Sequence, residues 1–251
     1  MSSDNLPTIG TRTNLDPDLN TFLNSPPNLL PQIRRREMKV WEGRCIDLLP
    51  RRRIYKESGC QVYAVEYRLA PEWRFPTQLD ESVAVAEWLQ GQGGKERGVN
   101  SDKVMGGGDS AGGNMTAGIL LYPEARLPFD TKAAAENNSG LYLECNGIFS
   151  FADHYLPRGT PPSHPYVSPG MQSNETLKNV PPAVVFTCGF DPLRDVGVEY
   201  GTKLKQVGNQ VAWHHFDTLT HGFLQFAPWS VEAMNATKLV GSEMRRLAYG
   251  E

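Results

Sequence analysis

Residues 108–113, with the sequence Gly-Asp-Ser-Ala-Gly-Gly, contain the pattern Gly-x-Ser-x-Gly. In this pattern a serine lies in a tight turn between a strand and a helix, and its hydroxyl is lifted clear of the backbone. Gly108 and Gly112 leave room for such a strained turn. We therefore predict that Ser110 is a nucleophile, preceded by a strand that includes Lys103–Met105 and followed by a helix within residues 111–118. A glycine-rich turn without chemistry is the alternative, and the presence of partner residues distinguishes the two.

A serine nucleophile needs a base that takes its proton and an acid that orients the base. All five histidines follow Ser110 in the chain, at positions 154, 164, 214, 215 and 221. This order excludes chymotrypsin-like and subtilisin-like proteases, in which the histidine comes before the serine. His221 follows a predicted strand at 211–216, and Asp191 follows another at 183–188. We therefore expect both side chains at the same edge of the sheet as Ser110.

These residues resemble the hormone-sensitive-lipase-like (family IV) α/β-hydrolases, which are carboxylesterases and lipases. The resemblance runs from about residue 55 to the C terminus and includes Tyr-Arg-Leu-Ala-Pro-Glu at 67–72, Asp-Pro-Leu-Arg-Asp at 191–195 and His-Gly-Phe at 221–223. It implies Ser110 as nucleophile, Asp191 as acid and His221 as general base. Asp195 is the rival acid, but it precedes a helical pattern, which predicts a helix N-cap.

The chain departs from the resembled family in two ways. Members carry a His-Gly-Gly-Gly segment, whose backbone N–H groups line the oxyanion hole, but this chain has no histidine before Ser110. Of the expected oxyanion donors, only the backbone N–H of Ala111 is identifiable. The helix after Ser110 is also short, since eight residues span about 12 Å and a parallel crossover usually takes a dozen or more. We therefore predict that two internal segments are missing and that activity is impaired.

Composition bounds the partners and cofactors. The 251 residues are 39% hydrophobic and 21% charged, which describes one ordinary globular domain, and the formal charge of −3 gives no reason to expect nucleic acid. The polar N terminus lacks a signal peptide and no run is long enough for an integral membrane segment, which predicts a cytoplasmic location. Neither metal nor organic cofactor is expected, because no cysteine pair suggests zinc and adjacent His214 and His215 point to opposite strand faces.

Alternating strands and helices predict an α/β-hydrolase fold, a three-layer sandwich with a mainly parallel sheet that lacks its early strands. We predict an N-terminal helical, cap-like segment at 1–54 and a hydrolase domain at 55–251, with a cap or pocket insertion at about 123–182. The N-terminal helix, which starts at Asp16–Pro17, either covers the acyl pocket or packs on the body of the fold.

Four finer elements are also predicted. The first is a buried strand at 61–67, and the second is irregular or helical structure at 38–53. The third is a helix that begins with a capping box at Thr77 and Asp80 and has Leu79, Val83 and Ala86 on one face. The fourth is a C-terminal helix from Ser230 to Leu247.

The sequence leaves functions of two classes open. The first is a serine carboxylesterase that cleaves short-chain or small aromatic esters, hence a small hydrophobic ester substrate, through an acyl-enzyme. The second is a non-catalytic relative that binds a small hydrophobic ligand, or a truncated relic of the same fold. A peptidase of the prolyl-oligopeptidase type is a weaker third hypothesis, because residues 67–72 do not resemble that family. The sequence does not predict the particular ester or the oligomeric state.

Overall fold

The computed structural model describes residues 10–24 and 49–250. The strands are β1 (Gly106–Asp109), β2 (Gly118–Leu121), β3 (Ala183–Phe190) and β4 (Val211–Thr220). The helices before β1 are α1 (Pro17–Leu23), α2 (Leu49–Ser58), α3 (Thr77–Gln90) and α4 (Gln92–Lys95). The later helices are α5 (Ala111–Asn114), α6 (Lys132–Glu136), α7 (Cys145–Tyr155), α8 (Arg194–Gln206), α9 (Phe223–Phe226) and α10 (Val231–Tyr249). Two short 3₁₀ turns cover Ser101–Lys103 and Pro169–Met171.

The four strands form one parallel sheet in the order β1-β2-β3-β4. One row of the register crosses the sheet through Gly108, Leu120, Val185 and Trp213. Every residue of β3 is buried, as suits a central strand covered on both faces, whereas β1 is largely exposed. The α/β class and the parallel sheet are therefore confirmed.

Helices cover both faces of the sheet. On one face, Leu19 of α1, Ile54 of α2, Phe226 of α9 and Val240 of α10 join the largest apolar core. On the other face, Leu204 of α8 packs with residues of β2 and β3 in a second cluster. All carboxyl ends of the strands consequently lie at one edge, where the loops after them meet.

The predictions for both terminal helices are confirmed. The Asp16 carboxylate accepts a hydrogen bond from the Leu19 backbone N–H at 3.0 Å, and Pro17 is the first residue of α1. Ser230 caps α10 in the same manner through the Ala233 N–H. Of the two alternatives for α1, the structure shows the helix packed on the body, since Leu19 lies in the main core. The predicted boundary at residue 54 falls within α2, and most of 38–53 lies outside the described residues.

The strand predicted at 61–67 is wrong. These residues form no strand in the structure, and only Val62, Val65 and Tyr67 among them are even partly buried. A strand needs a neighbour that satisfies its backbone groups, and within the described residues β1 pairs with β2 alone. The hydrophobic pattern is therefore present without the sheet that would give it a partner.

The capping box predicted at the start of α3 is wrong. Pro76 occupies the N-cap, and Thr77 is the first helical residue, without a capping hydrogen bond. Of the three residues predicted to share a face, Leu79 and Ala86 are partly buried and Val83 is 54% exposed. The buried residues of α3 are Gln78 and Leu89.

The strand before Ser110 is also shifted from its predicted place. Lys103 ends a 3₁₀ turn, and β1 begins only at Gly106. The following helix α5 is a single turn, shorter than the 111–118 expected, and β2 begins at Gly118. The short crossover predicted from the sequence is therefore confirmed, and it places β2 directly beside β1.

Candidate active site

Ser110 lies in a strained turn at the carboxyl end of β1. Its backbone has φ 55° and ψ −116°, a region that non-glycine residues rarely adopt. The Ser110 N–H donates to the Leu121 carbonyl at 2.9 Å, which ties the turn to the neighbouring strand. The conformation therefore has the form expected of the Gly-x-Ser-x-Gly pattern, with the hydroxyl presented at the sheet edge.

The structure brings Ser110, His221 and Asp191 into one hydrogen-bonded chain. The Ser110 Oγ lies 2.8 Å from His221 Nε2, and His221 Nδ1 lies 2.9 Å from Asp191 Oδ2. The carboxylate accepts from Nδ1–H, which leaves Nε2 free to accept the serine proton. The predicted convergence of the three side chains at one sheet edge is confirmed by these distances. Their arrangement allows proton removal from a nucleophilic hydroxyl.

Hydrogen bonds to the Asp191 carboxylate and to the backbone around it hold this residue in place. Asp191 is fully buried, and its Oδ1 accepts a hydrogen bond from the Leu193 N–H at 2.8 Å. The buried Asn137 donates through Nδ2 to the backbone carbonyls of Gly189 and Asp191, each at 3.1 Å. Thr220 Oγ1 donates to the Phe190 carbonyl at 2.9 Å, joining the ends of β3 and β4. Sequence reasoning missed Asn137, since nothing in its local pattern distinguishes it from a loop asparagine.

Asp195 has neither of the roles considered from the sequence. Leu193 is the N-cap of α8, and Asp195 is the second helical residue, so the predicted N-cap is wrong. One carboxylate oxygen of Asp195 accepts from the Ala133 N–H at 2.8 Å, and the other accepts from Arg194 Nε at 2.8 Å. Arg194 also contacts Glu136 at 2.6 Å, so Asp195 belongs to a buried ionic cluster. His221 hydrogen-bonds to Asp191 instead.

A cavity of about 320 Å³ opens in front of Ser110. Ala111 and Leu193 line the cavity together with the serine. The region between β2 and β3 supplies much of the apolar lining, namely Leu127, Leu143, Ile148, Phe151, Leu156 and Val167. No α1 residue lines this cavity. The insertion predicted at 123–182 thus contributes to the pocket wall, and the size and apolar character fit a small hydrophobic ligand.

Two groups near His221 have shifted pKa values. The Tyr122 ring centroid lies 4.6 Å from that of His221, and burial together with the nearby Asp109 raises the Tyr122 pKa well above its ordinary value. The Tyr122 hydroxyl therefore stays protonated, and the residue forms an uncharged part of the wall of the site. Burial raises the pKa of Glu124, a cavity residue that sequence reasoning also missed, to about 7. This residue lies in an ordinary loop after β2, where no motif signals it.

The remaining predicted site residue, Ala111, is the first residue of α5 and lines the same cavity. His214 and His215, rejected as a metal pair, have separate partners. His214 Nε2 lies 3.1 Å from Glu243 Oε1, whereas His215 Nδ1 lies 2.9 Å from Thr187 Oγ1. Within residues 10–24 and 49–250, no helix has the length and hydropathy needed to cross a membrane.

Comparison with known proteins gives a consistent set of matches. A family described as having the alpha/beta hydrolase fold matches residues 50–225. The carboxylic ester hydrolase LipN of Mycobacterium tuberculosis is 32% identical over 67% of this chain and 50% of its own length. The carboxylesterase NlhH of the same species is 28% identical over 86% of this chain and 83% of the relative. The crystal structure of a thermostable esterase from Pseudomonas putida superimposes with a TM-score of 0.76, at 28% identity, over 81% of this chain and 69% of that chain.

This chain covers only part of the length of several relatives and lacks internal residues of one of them. The chain spans only 50% of LipN and 60% of the esterase LipI. The alignment with NlhH extends over 269 positions although this chain has 251 residues, so it includes gaps in this chain. Internal residues of NlhH are therefore absent here.

Proposed function

Because this chain belongs to the hormone-sensitive-lipase-like α/β-hydrolases, we propose that it is a serine hydrolase that cleaves small carboxylic esters through an acyl-enzyme. The observation that carries this proposal is the hydrogen-bonded chain from Ser110 through His221 to Asp191. The apolar cavity beside Ser110 supports a short-chain or small aromatic ester as substrate.

In the proposed reaction, Ser110 Oγ attacks the ester carbonyl while His221 Nε2 takes the hydroxyl proton. His221 then protonates the departing alcohol, and water resolves the acyl-enzyme with His221 again acting as base. Asp191 accepts from Nδ1–H throughout and stabilises the imidazolium that forms. The residues supply this sequence of proton transfers without a metal or an organic cofactor.

The site is expected to stabilise the oxyanion of the tetrahedral intermediate only incompletely. We propose the Ala111 N–H as one donor, and the missing His-Gly-Gly-Gly segment would remove the others. Losing one such donor typically costs about 10²–10³ in kcat. Activity on p-nitrophenyl acetate is therefore expected to be slow, and activity on unactivated esters slower still.

A fluorophosphonate probe tests the proposal directly, since it reports an activated serine without requiring turnover. Wild type should be labelled and Ser110→Ala should not, while Ser139→Ala, at an exposed serine, should label like wild type. A folded wild-type sample that is not labelled would overturn the serine-hydrolase proposal. It would favour the second candidate, a non-catalytic ligand-binding relative or relic, which the gaps relative to NlhH support.

A further inference from the structure

Two residues that line the cavity in front of Ser110 carry buried polar atoms without a hydrogen-bond partner among residues 10–24 and 49–250. Gln78 is buried, and its Nε2 donates to the carbonyls of Arg68 and Trp73 at 2.6 and 2.7 Å, while its Oε1 is one of these atoms. The buried hydroxyl of Tyr155 is the other. Buried polar atoms are almost always paired, so these two indicate a missing ligand or water.

Glu124 adds a carboxyl group to the same cavity. Its backbone carbonyl accepts from Asn114 Nδ2 at 2.7 Å, which fixes the residue beside the turn that holds Ser110. Within the described part of the chain, no hydrogen bond or ion pair reaches its side chain, and the residues that line the cavity include neither lysine nor arginine. The one histidine that the lining contains is His154, an exposed residue of α7, and among the described residues it forms no ion pair with this carboxyl.

Glu124 also interacts electrostatically with other polar groups of the site. His221 lowers the pKa of Glu124 against the larger effect of burial, and burial, with smaller effects of Tyr67 and Glu124, raises the pKa of Tyr155 to about 12. The titratable groups that line the cavity with this carboxyl are His154 and Tyr155 on α7 and Tyr67 before α3, and His221 after β4 acts on its charge. His221 is already engaged by Ser110 and Asp191 and is not available as a permanent counter-ion.

A ligand ammonium group that carries N–H would complement these features. A buried carboxylate is costly unless it is paired, and a charge-assisted hydrogen bond to a cation offsets that cost. Gln78 Oε1 and the Tyr155 hydroxyl can accept further N–H bonds, and the rings of Tyr67, Phe151 and Tyr155 favour alkylated cations.

We propose that Glu124 is a specificity-determining residue that selects small esters bearing a protonated amine over neutral esters of the same shape. The proposal rests on the proposed function for the reaction itself, whereas the ligand preference is a property of the cavity. Because the pKa of Glu124 is raised to about 7, its carboxylate predominates above that pH. The preference should therefore increase from pH 6 to pH 8.

The test compares 2-(dimethylamino)ethyl butyrate with 3-methylbutyl butyrate, in which a C–H replaces the N–H of the protonated amine. Binding of each ester to Ser110→Ala is measured by calorimetry, and kcat/KM is measured on wild type. At pH 8 the amine ester should bind about tenfold more tightly than the neutral ester. Adding Glu124→Gln should make the two esters bind equally and should abolish the pH dependence of the preference.

Glu87→Gln is the matched control. Glu87 is exposed and lies nine residues after Gln78 on α3, which is about 13 Å along the helix.

Equal binding of both esters to folded Ser110→Ala, or a preference that Glu124→Gln leaves unchanged, would overturn the proposal. A preference that depends on Glu124 in a protein that hydrolyses neither ester would support it and would contradict the proposed esterase activity instead. The two hypotheses can therefore fail independently.

Discussion

Two acidic side chains near His221 have opposite surroundings. Asp191 accepts hydrogen bonds on both carboxylate oxygens, from His221 and from the Leu193 N–H. Glu124 accepts none on its carboxyl group within the described residues, and burial raises its pKa to about 7. Hydrogen bonding favours a carboxylate and desolvation disfavours one. The Asp191 carboxyl is therefore held in place by two hydrogen bonds, whereas the charge of Glu124 changes with pH near 7.

Asparagine substitutions distinguish Asp191 from Asp195. Asp191→Asn should slow fluorophosphonate labelling by about 10⁴-fold, because an amide does not hold His221 in the tautomer that accepts the serine proton. Asp195→Asn removes a buried partner of Arg194, so it should lower the free energy of unfolding by about 1–3 kcal/mol with little effect on labelling of the folded protein. Labelling rates and urea denaturation provide the two measurements. Equal loss of labelling in both folded variants would contradict the assignment of the acid.

The raised pKa of Glu124 also predicts how stability depends on pH. Burial raises the pKa of Glu124 in the folded protein to about 7 from its ordinary value of 4.5. The native state therefore binds more protons in this window, and the free energy of unfolding falls as pH rises through it. Relative to Glu124→Gln, wild type should lose on the order of 2 kcal/mol between pH 5 and pH 8. Urea denaturation of both proteins at the two pH values measures this, and parallel pH curves would contradict it.

Among the elements, the turn between β1 and α5 depends on only one of the two glycines of its pattern. A Cβ on Gly108 would lie 2.2 Å from the Gly112 carbonyl oxygen, whereas a Cβ on Gly112 would meet nothing within 4 Å. The sequence pattern suggests that both positions need glycine for room. The structure shows that glycine at 108 is what allows the two backbone segments to pack this closely, whereas Gly112 is an ordinary helical position.

Alanine at these two positions should accordingly give opposite results. Gly108→Ala forces backbone to move and should destabilise the protein by about 3 kcal/mol or abolish labelling of Ser110. Gly112→Ala should be neutral or stabilise by up to about 1 kcal/mol, since alanine is the better helix former. Thermal denaturation and fluorophosphonate labelling of both variants provide the comparison. Tolerance of alanine at 108 would show that the turn is less closely packed than described.

Sequence reasoning correctly predicted the elements whose packing neighbours are present in the described structure. β3, β4 and α10 combine strong local patterns with neighbours that are present, and the positions of Asp191 and His221 follow from them. The strand at 61–67 was predicted from an equally clear pattern, yet the layer that would bury it is absent from the described structure. Asn137 and Glu124 act through tertiary position, which no local pattern encodes.

At the scale of the whole molecule, the described part of the sheet ends at β1, and the segment before β1 exposes several large apolar side chains. Large hydrophobic residues between positions 55 and 90 are 38–66% exposed, namely Tyr55, Tyr63, Leu69, Trp73, Val83 and Trp88. Monomeric proteins rarely leave many such residues together on one surface. Among the described residues one edge of β1 also has no neighbouring strand, so low soluble yield is expected.

The parallel order β1-β2-β3-β4 also divides the proposed catalytic residues between regions of different stability. Ser110 follows a four-residue, glycine-rich strand at the margin of the sheet, whereas Asp191 and His221 follow the two longest strands, which pair with each other. Local opening of β1 costs less than global unfolding, because fewer buried contacts are lost. Urea should therefore abolish fluorophosphonate labelling at a lower concentration than it abolishes the far-ultraviolet circular dichroism signal. If labelling and the circular dichroism signal are lost together, the protein unfolds as one cooperative unit. If labelling is lost first, inactivation is a subglobal event, in which the region of Ser110 unfolds while the rest of the protein stays folded.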